Sequence, residues 1–111
     1  GGTGTPSVSA ASVHKEGSLF KESARLKQYR QRWVVLTATH LLSYRREQHY
    51  ADPTECIELS TCTAVKAIDE PLMPERRQCS FTVHVPDRVF NFVCANETER
   101  DEWVAAICVR L

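Results

Sequence analysis

Residues 15–36 read KEGSLFKESARLKQYRQRWVVL. Two segments with strand character flank a polar stretch. In the first, taken from Val13 to Lys21, Gly17, Leu19 and Lys21 alternate onto one face. The second, Gln31–Leu36, is β-branched and aromatic, and a period of two puts Arg30 and Arg32 on the same side as Val34 and Leu36. If the two pair as a hairpin through residues 22–29, Lys21, Arg30 and Arg32 converge at its mouth. Each is then a cation standing on a rigid wall and pointing inward at an open end. A half-buried positive charge needs a counter-charge, and no acid is expected on that face. Phosphate is the natural external partner, because arginine forks bind it bidentately and lysine adds a point charge. The spacing equally allows a plainer arrangement, in which the three are solvated residues salt-bridged to Glu16 or Glu22.

Outward from this hairpin the chain continues as short strands. Leu41–Arg46 follows a Thr37–His40 turn; with Leu42 setting its register, Tyr44 shares that face and Arg45 stands beside it. Further strands are expected at Glu55–Leu59, Thr63–Ile68, Cys79–Val85 and Arg88–Cys94. The breaks carry Pro53, Asp69-Glu70-Pro71 with Pro74, and Pro86-Asp87, none of which suits a central strand. The Pro86-Asp87 break is short enough to make its flanking strands a hairpin. The last segment changes period: Trp103, Val104, Ile107, Cys108 and Leu111 recur at helical spacing as one apolar stripe. Asn96 with Glu99 three residues on fits an N-terminal cap, and the acids that follow suit the positive end of the helix dipole. Seven strands and one C-terminal helix result, the helix covering the sheet's open side. Gly1 to Ser12, made of Gly, Ser, Thr and Ala with one Pro and one Val, reads as a disordered linker, leaving one domain over residues 13–111.

Length and composition fit that single domain. The chain has 111 residues, 42% apolar and 25% charged. Fourteen basic and fourteen acidic residues give a formal net charge of zero. The zero hides a split: residues 14–46 carry eight basic groups against two acids, a net of +6, and residues 47–111 carry −6. Such asymmetry points to an anionic partner for the first third. Nucleic acid is disfavoured, because single-strand binders interleave several aromatics with their basic groove and this face has few. No apolar run reaches membrane-spanning length, and the first residues lack the charged leader and apolar core of a signal peptide. Five cysteines, an odd number at wide intervals with no C-x-x-C pair, read as reduced thiols rather than disulfides or a metal site. No catalytic constellation and no cofactor motif is present, so the domain is not expected to be an enzyme. Trp103 and Ile107 are expected in the core, and Trp33 as a packed strand residue.

The run Lys15 to Lys21, then Arg30-Gln-Arg32-Trp33-Val34-Val35-Leu36, then Tyr44-Arg45, closing with Glu99-Arg-Asp-Glu-Trp103, resembles a pleckstrin homology (PH) domain across residues 14–111. It is most similar to the subgroup that binds 3-phosphorylated inositides, which includes the PH domains of protein kinase B, the cytohesins and the dual adaptor of phosphotyrosine and 3-phosphoinositides. The resemblance implies a mainly β fold, a seven-stranded antiparallel bent sandwich or barrel capped by one C-terminal α-helix. It implies a membrane-recruitment module of a larger signalling protein, binding PI(3,4,5)P3, PI(3,4)P2 or both at the barrel's open end. By position, Lys21 and Arg32 would hold the 3-phosphate, Arg30 would add head-group contacts, and Tyr44 and Arg45 would bond phosphates from the third strand. Arg25 and Lys27 would meet the 5-phosphate or neighbouring acidic lipids, and Leu26 between them would dip into the membrane interface. The sequence departs from the subgroup at Glu22, directly after the signature lysine, in a first loop without glycines, and at Phe90, where a further binding arginine is usual and Arg88 stands two residues away. The implied protein is cytoplasmic, monomeric and recruited peripherally to phosphoinositide-bearing membranes. An alternative on the same scaffold is a protein-interaction module with weak or non-selective lipid binding, using the acidic back, the last strands and the helix.

Overall fold

A computed structural model describes residues 12–23, 25–47, 50–69, 72–73 and 79–111. The linker read at 1–12 lies, except for Ser12, outside them. β1 (Lys15–Glu22) and β2 (Tyr29–Leu36) pair antiparallel along their whole length, with Leu19 opposite Arg32 and Lys21 opposite Arg30. β3 (His40–Tyr44) and β4 (Glu55–Glu58) extend one side, and β5 (Ala64–Ile68), β6 (Ser80–Val85) and β7 (Arg88–Val93) build the other. All seven strands form one antiparallel sheet in the order β4-β3-β2-β1-β7-β6-β5, followed by the helix α1 (Glu97–Cys108). The two halves join where Phe20 and Lys21 of β1 pair with Val93 and Phe92 of β7. Their inner faces meet in one core, where Leu19, Val34, Leu36 and Leu41 share a cluster with Phe81, Val83 and Phe92. Phe81 and Phe92 stack at 5.0 Å between ring centroids.

Turn chemistry explains the connections. Thr37 closes the β2–β3 turn, its N–H donating to the His40 carbonyl and its hydroxyl accepting from the His40 N–H. Strand pairing therefore begins at His40 itself. Pro86-Asp87 makes the β6–β7 hairpin, with Val85 opposite Arg88. The fourth strand stops at Glu58, one residue short of the expected Leu59, because Leu59–Thr61 coil into a 3₁₀ turn that sinks Leu59 into the core.

Two expectations need correction. The register of β3 is set by Leu41, not Leu42. Leu41 pairs with Leu36 and Ile57 toward the main core, whereas Leu42 and Tyr44 pack with Val35 in a second cluster on the outer face. Adjacent leucines satisfy either register, and a one-residue slip turns every side chain over. The helix stripe also differs. Its inward row is Arg100, Trp103 and Ile107, while Cys108 and Leu111 are exposed. The helix ends at Cys108, so Leu111 falls beyond it. Asn96 caps the start, its Oδ1 accepting from the Glu99 N–H at 2.8 Å. Arg110 donates to the Ala106 carbonyl at the other end. Among the described residues no helix is long and apolar enough to cross a membrane.

Candidate functional site

β1 and β2 carry the site because they are long, fully paired and end together. Period two on β1 keeps Lys21 in line with Leu19, and the cross-strand register brings Arg30 and Arg32 to the same face. The loop joining them, residues 23–28, closes through the Ser23 N–H donating to the Gln28 carbonyl at 2.8 Å and the Lys27 N–H donating to the Ser23 carbonyl at 3.2 Å. This tight closure needs one left-handed residue. Lacking a glycine, the chain uses Lys27, at φ 53°, against a cost of about 1–2 kcal/mol for a side-chain-bearing residue.

At the mouth lies a cavity of about 630 Å³. Lys21, Arg25, Leu26, Arg30, Arg32 and Arg45 line it, with Ser23, Thr54 and Glu55 completing the wall. Six of the eight expected ligand-contacting or membrane-facing residues thus come together. Lys27 lines a neighbouring groove of about 450 Å³ with Glu22, Asp87, Arg88 and Asn91, on the other side of the loop. Tyr44 is in neither. It is 1% exposed, packed in the outer cluster, its ring edge-on to Tyr50 at 5.8 Å. The corrected register explains both Tyr44 and Arg45: Leu41 and Ser43 face the inner side, so Arg45 reaches the cavity and Tyr44 cannot.

The electrostatics of the cavity are lopsided. Burial depresses the Arg32 guanidinium from its ordinary range, and the charges of Arg30 and Arg45 depress it further. Among the described residues no carboxylate lies within ion-pair distance of Arg25, Arg30, Arg32 or Arg45. Arg30 donates to the Gln28 side chain and Arg32 to the Gln31 carbonyl, both neutral acceptors. The acids expected as simple counter-ions point elsewhere. Glu16 accepts from the Trp33 indole at 2.7 Å and the Tyr50 hydroxyl at 2.6 Å on the outer face, pushing the Tyr50 pKa up to about 12. Glu22 accepts from Asn91.

Lys21 differs from the arginines. It is 7% exposed, and burial pulls its pKa down while the Glu55 carboxylate acts in the opposite sense. Glu55 Oε1 accepts from Lys21 Nζ at 3.2 Å and from Arg88 Nη1 at 3.1 Å. Both cations also lie over the Phe90 ring, Arg88 at 4.2 Å and Lys21 at 5.6 Å from its centroid. An acid therefore does share the inner face, contrary to the reading of β1 and β2 alone. It comes from β4, where Glu55 pairs with Ser43, a neighbour 34 residues away from Lys21 in the chain. Alternation along β4 places Ile57 in the core and Glu55 on the same side; the missed signal was the register of that strand. Among the described residues no cluster of His, Cys, Asp and Glu is placed to hold a metal ion.

Comparison with known proteins agrees with this architecture. A family model described as "PH domain" matches residues 13–110. The "RAC family serine/threonine-protein kinase homolog" of Dictyostelium discoideum is 30% identical over 97 residues, covering 87% of this chain and 21% of its own length. The mouse "Dual adapter for phosphotyrosine and 3-phosphotyrosine and 3-phosphoinositide" is 31% identical over 90 residues, covering 81% of this chain and 30% of its own length. The chain thus spans under a third of either relative. Among solved structures, the C-terminal PH domain of pleckstrin in complex with D-myo-Ins(1,2,3,5,6)P5 superposes with a TM-score of 0.73 at 25% identity, covering 88% of this chain and 94% of that one. The Slm1 PH domain reaches a TM-score of 0.76 at 19% identity over 89% of this chain and 97% of that one, a likeness of fold alone.

Proposed function

The chain belongs to the PH domain family, and on that premise we propose that it is a phosphoinositide-binding module recognising 3-phosphorylated inositides, PI(3,4,5)P3, PI(3,4)P2 or both, and drawing a longer protein to membranes that carry them. The observation that carries this reading is the uncompensated cluster of Arg30, Arg32 and Arg45 around an open cavity, where burial and then the charges of its two neighbours depress Arg32. Positive charges gathered around one cavity attract an anion, and arginine forks bind phosphate bidentately. The pleckstrin domain bound to an inositol pentakisphosphate supports head-group binding. The choice of 3-phosphates is supported by the Lys21, Arg30-x-Arg32 spacing and by the dual adapter, whose name includes 3-phosphoinositide.

In this reading Lys21 and Arg32 take the 3-phosphate, Arg30 and Arg45 flank the ring, and Arg25 and Lys27 meet the 5-phosphate or nearby acidic lipids. Tyr44 has no part. Recruitment is electrostatic capture followed by bidentate recognition, with Leu26 entering the interface. The domain performs no chemistry of its own. Titration with soluble inositol 1,3,4,5-tetrakisphosphate, followed by amide NMR, tests the reading. Saturable shifts at Lys21, Arg30, Arg32 and Arg45 are expected, with weaker binding of inositol 1,4,5-trisphosphate. Equal affinity for the two would remove the 3-phosphate preference. No saturable shift would remove the lipid reading and favour a protein-interaction module.

A further inference from the structure

We infer that Glu55 is a built-in counter-anion that occupies the phosphate position beside Lys21 and must be displaced when a head group places a phosphate there, so that it limits affinity. The inference rests on the head-group reading of the same cavity. Its geometry is specific. One carboxylate oxygen is shared by two cations, at 3.2 Å from Lys21 and 3.1 Å from Arg88, and these come from strands that do not neighbour β4 in the sheet. Glu55 therefore ties β4 to β1 and to the β6–β7 hairpin across the cavity mouth.

The chemistry of the three groups explains why a carboxylate stands there. Lys21 is nearly buried, and a buried ammonium without a partner is costly. Glu55 supplies that partner in the free protein, while Arg30, Arg32 and Arg45 have no such carboxylate among the described residues. A phosphate approaching Lys21 meets the same two cations that Glu55 holds, and it also meets the carboxylate's own charge at hydrogen-bond range. The incoming group must replace one salt bridge with another instead of filling an empty site. A single phosphate gains little from that exchange. A head group whose further phosphates also reach Arg30, Arg32 and Arg45 gains those contacts without a competing acid.

Glu55→Gln keeps the side chain's shape and removes its charge. Calorimetric titration with inositol 1,3,4,5-tetrakisphosphate and with inositol 1,4,5-trisphosphate is expected to show tighter binding of both to the variant. The gain is on the order of tenfold for the tetrakisphosphate, whose 3-phosphate enters beside Lys21, comparable to one charge-assisted hydrogen bond, and smaller for the trisphosphate, which has no 3-phosphate. The variant's thermal midpoint without ligand falls, and saturating head group restores it. A lower midpoint together with unchanged or weaker binding makes Glu55 a structural brace and overturns the inference while leaving the head-group reading intact. No saturable binding by either protein, with both unfolding cooperatively, removes the head-group reading and the inference with it. Should the variant fail to fold, the wild-type chain supplies the second measurement. The Glu55 carboxyl carbon resonance moves on saturation with tetrakisphosphate if the salt bridges are exchanged; an unmoved resonance overturns the proposal.

Discussion

Arg32 is the residue on which the binding reading turns. It stands opposite Leu19, its guanidinium half-exposed and beside those of Arg30 and Arg45. Its side chain supports no core contact, so Arg32→Ala should shift stability by about 0.5 kcal/mol or less. It also removes a two-pronged, charge-assisted contact worth about 3 kcal/mol, so the affinity for inositol 1,3,4,5-tetrakisphosphate should fall about a hundredfold or more. Calorimetry beside a thermal melt checks both halves; full affinity in a folded variant would place the ligand elsewhere. Arg32 is legible from the sequence because its position depends on one strand's alternation and one hairpin. Tyr44 and Glu55 are not. Tyr44 depends on which of two adjacent leucines points inward, and a second apolar cluster of Val35, Leu42 and Tyr44 rewards the choice that alternation from Leu42 hides. Glu55 depends on the register of β4 against β3, a non-local pairing that local pattern does not encode.

At the scale of elements, the first hairpin loop is where lipid recognition separates from head-group recognition. Leu26 sits at its tip, 60% exposed and flanked by Arg25 and Lys27. An apolar side chain held out between two cations suits an interface with an anionic surface below it. Burying part of it in lipid is worth about 1–2 kcal/mol, so Leu26→Ser should weaken binding to phosphoinositide vesicles about five- to thirtyfold. Soluble head group, which has no acyl region, should bind the variant as well as the wild type. Equal losses in co-sedimentation and calorimetry would mean that Leu26 shapes the pocket instead. The seven strands and the helix are legible in outline because breaks at proline and the switch to helical period are local signals. The inner face of α1 is less so. Arg100 occupies a row that apolar periodicity leaves blank, because Asp101 at 3.0 Å, Glu97 at 3.5 Å and Asp69 at 3.6 Å surround its guanidinium while its stem packs inward. An arginine reads as polar in any hydrophobic pattern, yet with enough acids at its tip it is as buried as its neighbours.

For the whole molecule, the division into +6 over residues 14–46 and −6 over residues 47–111 runs along the chain more than through space, because Glu55 and Asp87 of the acidic part stand beside the basic mouth. The basic third builds β1 to β3, whose ends at Lys21, Arg30 and Arg45 open on the cavity. The opposite end of β3 and β4, at Thr39 and Glu58, borders the end of the chain at Arg110. In the proposed reading an anionic membrane attracts the end of the domain that carries the arginine cluster. Two ranges of attraction follow, and salt separates them. Contacts inside the cavity act at hydrogen-bond distance and are weakly screened, whereas steering by the charge of the cluster acts beyond the ~8 Å Debye length of physiological salt. Raising sodium chloride from about 0.05 M to about 0.5 M should therefore lower the association rate with phosphoinositide vesicles by about tenfold, with a smaller change in the dissociation rate. Surface plasmon resonance on vesicles with and without the phosphoinositide reads both rates. A salt response confined to dissociation would mean that the cluster has no steering role and that contacts inside the pocket alone account for recruitment.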